Sequence, residues 1–235
     1  MTEQASRDNQ ALLAFWDQAF FIPAEEMEAA RREGVGSWEE LAPSEKLLRA
    51  VRELGDRNKV LDYGCGNGWA AIAAAKSGCR DVTAADAAPN AVKAAAFLAG
   101  LLGAAEQLCP VCGGIDWLKS VPAESFDGLI CSNVLDVVPP ETAEAILREL
   151  ARVLSPEAEI LIGLNYYLSP EAAAEKGLSL TGGRLYVDGV LRMVSRTDAE
   201  WAALFARYFR VEGLEYYAWP GEPEERRRLF RLRGR

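Results

Sequence analysis

Apolar positions recur in two periods along this 235-residue chain, and the changes from one to the other mark out its elements. Over residues 8–21, Leu12, Leu13, Phe15, Trp16, Ala19 and Phe20 fall three and four apart, which predicts an amphipathic helix stopped by Pro23. Residues 24–33 read as a second, charged helix ended by Gly34, and Ser37-Trp38-Glu39-Glu40 has the form of a capping box opening a further turn. The next helix begins at Pro43-Ser44-Glu45 and sets Leu47, Leu48, Val51 and Leu54 on a face suited to pack on a sheet.

From residue 60 onward short apolar runs alternate with helical stretches. Strands are predicted from Val60, over 81–85, 108–112, 126–133 and 159–164, with helices over 69–75, 89–102 and 141–154 between them. That alternation implies a parallel sheet with helices on both faces. Pro110 interrupts the third strand and cannot donate to a ladder, so this strand belongs at a sheet edge. After the fifth strand the rhythm breaks. Residues 184–194 alternate around Asp188-Gly189, a hairpin whose turn needs φ > 0, and an insertion is expected over about 180–196. A helix over 198–208 follows, then strands over 209–219 and 226–233 joined by Pro220-Gly221-Glu222-Pro223 and hence antiparallel.

Composition narrows what such a chain can do. Its length suits one domain with a small accessory part, and no apolar run is long enough to cross a bilayer. The first ten residues are polar, without a secretory pattern, so a cytoplasmic location is expected. A net charge of −9 disfavours a surface that neutralises phosphates; small molecules or a protein fit better as partners than nucleic acid, and no membrane partner is expected. Five cysteines without an export signal read as free thiols. With no histidine there is no imidazole for a triad or a proton shuttle. Cys109 and Cys112 have the spacing of half a zinc knuckle, but no second pair matches and a strand puts them on opposite faces, so no metal is expected. Arg226, Arg227, Arg228, Arg231, Arg233 and Arg235, beside Glu222, Glu224 and Glu225, read as a solvated, charge-balanced rim.

The chemistry concentrates in Val60-Leu61-Asp62-Tyr63-Gly64-Cys65-Gly66-Asn67-Gly68, where an apolar strand runs into an acid and three alternate glycines before an Ala-rich helix. Glycine permits a sharp turn and close approach of a ligand, and the new helix offers free N–H donors, so the turn reads as a cofactor cradle. The dinucleotide fingerprint puts two residues between its second and third glycines. Here one residue separates Gly66 from Gly68, and Trp69 stands where the fingerprint glycine would be. The stretch resembles, at all its defining positions, the first motif of class I S-adenosylmethionine-dependent methyltransferases: hydrophobic-Leu-(Asp/Glu)-x-Gly-x-Gly-x-Gly. The resemblance extends from about residue 47 to the end of the chain. It implies a three-layer Rossmann-like α/β fold with a seven-stranded, mostly parallel sheet in order 3-2-1-4-5-7-6, the last strand antiparallel. Residues 1–42 would be a helical lid and 43–235 the S-adenosylmethionine-binding domain.

The resemblance also implies roles. Gly64, Cys65, Gly66 and Gly68 would cradle the cofactor, and Asp62 would orient the loop and the cofactor's amino group. Asp86, 18 residues beyond Gly68, would hold the ribose with Ala87 beside it, or else cap the following helix. Asp116 and Trp117 would meet the adenine, although Trp117 also suits a core. Asn133 would pass under the methionine part, and the reaction implied is methyl transfer to a small-molecule acceptor by in-line displacement. Asp136 stands where many relatives carry histidine; it reads equally as a helix cap or as a base, with Tyr166 as a phenolic alternative. Trp16, Phe20 and Tyr167 would line the acceptor pocket, the aromatic stripe serving as core and lid together. Ser155-Pro156-Glu157 departs from the family's Pro-Gly-Gly turn. Two other readings stay open: a module that binds S-adenosylmethionine or S-adenosylhomocysteine without catalysis, and a nicotinamide-dependent oxidoreductase.

Overall fold

The computed structural model describes residues 2–235. Three helices come first, α1 (Glu3–Ala19), α2 (Ala24–Glu33) and α3 (Glu45–Glu53), so the first helix is longer than its apolar stripe. Ser37 precedes only a 3-10 turn, Trp38–Leu41, and makes no side-chain capping bond, which corrects the expected capping box. Strand and helix then alternate through β1 (Val60–Tyr63), α4 (Trp69–Lys76), β2 (Val82–Asp86), α5 (Pro89–Leu101) and β3 (Leu108–Cys112). The series continues with α6 (Ile115–Ser120), β4 (Phe126–Ser132), α7 (Pro140–Val153) and β5 (Leu154–Leu164). Beyond it lie α8 (Pro170–Glu175), β6 (Leu180–Thr181), β7 (Arg184–Val187) and β8 (Val190–Val194). The chain closes with α9 (Asp198–Phe205), β9 (Arg210–Tyr217) and β10 (Arg227–Arg233).

Seven strands form one sheet in the order β3-β2-β1-β4-β5-β10-β9, the order the sequence implied, with the Pro110 strand at one edge. β10 runs antiparallel to both of its neighbours; β3, β2, β1, β4 and β5 are mutually parallel. Helices cover both faces, which is why the central strands are continuous apolar runs. The period-2 alternation divides the core: Leu61, Leu129, Cys131 and Ile160 share one face with Trp201 and Phe205. Val60, Ile130 and Leu161 share the other with α3 and the alanines of α4, whose small side chains let that helix lie close to the sheet.

Three further differences have local causes. β5 begins at Leu154 rather than 159, because Leu154 pairs with Phe126 ahead of a register shift, and within that irregular stretch Glu157 adopts a left-handed φ of 63° where the family's glycines are absent. The insertion is a three-stranded sheet, β6-β7-β8. Asp188 and Gly189 turn as expected with φ of 52° and 77°, while Gly182-Gly183 adds the extra short strand. Of the arginines placed on a solvated rim, Arg227 and Arg228 are buried, the latter 1% exposed; Arg231 and Arg233 lie in surface ion pairs with Glu215 and Glu212.

Candidate functional site

At the carboxyl end of β1 the chain turns through Gly64, Gly66 and Gly68 with φ of 73°, 54° and 79°. The Gly64 and Cys65 N–H groups both donate to the Ala85 carbonyl (2.8 and 3.1 Å), which straps the turn to β2. A Cβ on Gly64 would fall 2.2 Å from Val134 Cγ2 and one on Gly68 2.7 Å from Ala95 Cβ, so both glycines are demanded by the scaffold. Gly66 differs. Its nearest neighbours belong to the ring of Phe20, with Cζ 2.8 Å from where a Cβ would stand, so its free face points at the end of α1.

Three carboxylates organise this turn. Asp62 is 2% exposed and accepts from the Ala71 N–H (3.0 Å), acting as the cap that Gly68, at the head of α4, cannot be. Burial pushes its pKa up to about 7, the Ala71 bond lowers it and the Asp86 charge adds to the rise. Asp86 bridges turn and helix: Oδ2 accepts from the Gly66 N–H (3.0 Å) and Oδ1 from the Ala88 N–H (2.9 Å). Its carboxyl is likewise raised, first by burial, against the help of those bonds. Asp17, near the end of α1, accepts from the Asn90 N–H (2.7 Å), and the Asn90 amide donates back to the Asp17 carbonyl (3.1 Å) and carboxylate (3.2 Å). The charges that raise Asp62 and Asp86 are those of neighbouring carboxylates, Asp86 and Asp17 respectively.

Cys65 is buried with its thiol pushed up by that burial, so it shapes the turn and offers no nucleophile. Asn133 holds φ at 57° and donates its N–H to the Gly163 carbonyl (2.8 Å), a left-handed residue at the end of β4 beside the turn. Ala87 lies near Gly114, and Trp117 packs over Gly113 and into the core. Asp116 sits in the first turn of α6, a helix in place of the expected loop; its side chain is 91% exposed and paired with Lys119.

Asp136 is wholly buried, neither beside a helix end nor open to a substrate. Its Oδ2 accepts from the Asn165 N–H (2.6 Å) and its Oδ1 has no partner. Burial raises its carboxyl, offset by the Asn165 bonds and the Arg228 charge. Asn165 is gripped again by Arg228 Nε on its carbonyl (2.7 Å) and Arg227 Nη1 on its side-chain oxygen (2.6 Å). Tyr166 and Tyr167 are placed elsewhere, lining a shallow cleft of about 250 Å³ with Asp198, Tyr216, Glu225 and Arg226. The ring of Tyr166 lies under Arg226 (4.7 Å) and Lys176 (5.4 Å). Trp16 stacks on Phe20 at 5.9 Å, behind the ring that meets Gly66.

The structure therefore gathers Asp62, Gly64, Cys65, Gly66, Gly68, Asp86, Asn133 and Phe20 about the turn, sets Asp116 near enough to act on Tyr63, and places Tyr166 and Tyr167 in a cleft of their own. Sequence reasoning missed Asp17, Asn90 and Val134. The signal for the first two was Ala88 ahead of Pro89, a helix start whose N-cap has no oxygen of its own.

Residues 60–157 match the family model described as a methyltransferase domain. Among curated proteins none matches the sequence. The solved structures it resembles include the 1,6-didemethyltoxoflavin-N1-methyltransferase of Burkholderia thailandensis, 19% identical over 89% of this chain and 86% of that one, with a TM-score of 0.64. The N-methyltransferase NodS of Bradyrhizobium japonicum WM9, in complex with S-adenosylhomocysteine, is 17% identical over 86% of this chain and 90% of that one, with a TM-score of 0.60. The [4+2]-cyclase SpnF is 20% identical over 78% and 63%, with a TM-score of 0.57. Over residues 60–157 the chain is thus similar to the methyltransferase-domain family, and its sheet carries the fold of these solved structures. Among the described residues no helix is long and apolar enough to cross a membrane.

Proposed function

We propose that the chain methylates a small-molecule acceptor from S-adenosylmethionine held at the glycine turn. The observation that carries this is the charge of the cradle. Asp62, Asp86 and Asp17 lie about the turn, and none of the ion pairs among the described residues neutralises them. A dinucleotide would bring a doubly negative pyrophosphate to that place, whereas a sulfonium cofactor brings a positive charge. Gly64, Cys65, Gly66 and Gly68 hold the cofactor's backbone-facing side. Each Asp86 oxygen already accepts one backbone bond and keeps a lone pair for a ribose hydroxyl. Asp116 turns to the adenine with little loss, since an exposed pair such as that with Lys119 is worth little, and Trp117 borders the same place.

Bound there, the cofactor supplies an activated methyl group on sulfur. The chain's part is alignment and exclusion of water: Asn133 floors the site, and Trp16 and Phe20 roof it. Asp136 acts by fixing Asn165, and no side chain is assigned as a base. Isothermal titration with S-adenosylmethionine and S-adenosylhomocysteine tests the core of the proposal; absence of heat from both would sink it. Asp86→Ala is expected to weaken either ligand by about 1–3 kcal/mol.

One alternative has a specific observation behind it. In that alternative the chain binds the cofactor without transferring its methyl group: Asp136, beyond the end of β4, is sealed from substrate, and a [4+2]-cyclase shares the fold. Cofactor binding with no methyl transfer to a broad panel of amines, phenols and thiols would favour that alternative.

A further inference from the structure

α5 begins at Pro89 with Ala88 as its N-cap, a residue with no side-chain acceptor. In such a helix the second N–H seeks an oxygen that the cap normally offers. Here the oxygen comes from Asp17, 73 residues upstream on α1, and Asn90 returns two side-chain bonds to Asp17. The end of the first helix is thus fastened to the helix that follows the Asp86 strand. Three residues on, Phe20 closes α1 and presses its ring tip against Gly66, the glycine whose free face is not occupied by scaffold. Trp16 backs that ring in a stacked contact, and α1 is also held by the insertion, through Arg192 over Phe15 (4.0 Å) and the Tyr186 hydroxyl on Asp8 (3.0 Å).

We infer that the Asp17–Asn90 pair is a latch seating the Phe20 ring on the glycine turn, which makes Asp17 a positioning residue for the bound cofactor. The inference rests on the reading that the turn holds S-adenosylmethionine. A ligand lying on Gly66 has to share that face with Phe20, so the ring withdraws to admit it and reseats to retain it. Withdrawal moves the end of α1, and the bonds that resist this movement are those of Asp17. Opening also exposes the first-turn donor of α5, so water must replace the Asp17 carboxylate each time the lid lifts. Release of the product cofactor is then governed by the latch as well as by contacts within the cradle.

The test uses the full chain and S-adenosylhomocysteine as probe. Stopped-flow tryptophan fluorescence, in which Trp16 is a reporter stacked on the moving ring, follows dissociation from wild type, Asp17→Ala and Asp17→Asn. Asp17→Ala is expected to release the probe about fivefold faster or more, and Asp17→Asn, which keeps an acceptor oxygen, to stay close to wild type. Hydrogen exchange of the unliganded proteins is expected to speed up over residues 14–21 and the first turn of α5 in Asp17→Ala alone. If Asp17→Ala does not fold, Asn90→Ala serves in its place; it removes the two side-chain bonds, keeps the backbone one and should give a smaller acceleration. A wild type that binds, with dissociation and exchange unchanged in the folded variant, overturns the latch and leaves the cofactor assignment standing. A wild type that does not bind overturns the cofactor assignment and the latch's function together.

Discussion

Asp62 joins sequence, structure and titration in one side chain. Its place in the motif brings it to the end of β1, where its oxygen caps α4 and the rest of the side chain is enclosed. The carboxyl's pKa of about 7, against 3.8 unfolded, means that between pH 4 and 7 the folded protein holds a proton that the unfolded chain has lost. Stability contributed by this group therefore falls as pH rises through that window. Asp86 and Asp136 are raised as well and act in the same direction. The carboxyls held below their usual range, such as Asp127 and Glu222, lose their contribution only in stronger acid. The midpoint of urea unfolding should accordingly rise as pH is lowered from 8 to 5, and Asp62→Asn should flatten that dependence while keeping an oxygen for Ala71. An equal slope in the variant would show that Asp62 is not a main source. Asp62 and Asp86 were legible in the sequence because their roles follow from spacing along one strand-turn-helix unit. Asp136 was not, since its partner Asn165 lies on another strand and becomes a neighbour only when β4 and β5 pair.

At the scale of elements, the two helices that open on the cradle are capped by residues from elsewhere. α4 follows Gly68 and takes its cap from Asp62; α5 follows Ala88 and takes its own from Asp17. Two helices away from the turn cap themselves, α8 with Ser169 and α9 with a Thr197–Glu200 capping box. The difference has a physical use, because a side chain at Gly68 would occupy space needed by α5. Gly68→Ala adds a left-handed alanine at φ 79° and a Cβ 2.7 Å from that of Ala95. It should cost about 1–3 kcal/mol of stability. Urea unfolding measures this, and a variant as stable as wild type would show that the helices can move apart. The glycine requirement was readable because it is local to the chain. The transferred caps were not: a missing cap shows in the sequence, but its replacement is found only once α1 lies over the sheet.

The whole molecule depends on a polar node beneath its closing strand. The closing strand β10 inserts between β5 and β9, and Arg228 at its start is buried among groups from three segments. Nε donates to the Asn165 carbonyl (2.7 Å), and Nη1 donates to the Arg196 carbonyl (2.7 Å) and to Asp198 Oδ1 (3.2 Å). Asn165 in turn binds Asp136, so the end of β5, the start of α9 and the chain after β4 share one cluster. The sequence showed six arginines and balancing acids, and a solvated rim followed from composition. Which of them face inward depends on the segment from Asn165 to α9 folding back over the sheet, a non-local event that charge counting does not contain. Arg228→Ala removes the positive charge beside the buried Asp136 carboxylate and leaves two carbonyls without donors. Breaking a buried charge cluster on one side costs about 3–5 kcal/mol, a large part of the roughly 5–15 kcal/mol available to a domain. Arg231→Ala, which loses surface pairs with Glu53 and Glu215, should cost about 1 kcal/mol or less. Because the damage in Arg228→Ala is an uncompensated charge, adding Asp136→Asn should recover part of the loss instead of deepening it. Urea unfolding of the two single variants and the double variant decides the matter: costs that simply add would mean that Arg228 and Asp136 do not act as a unit.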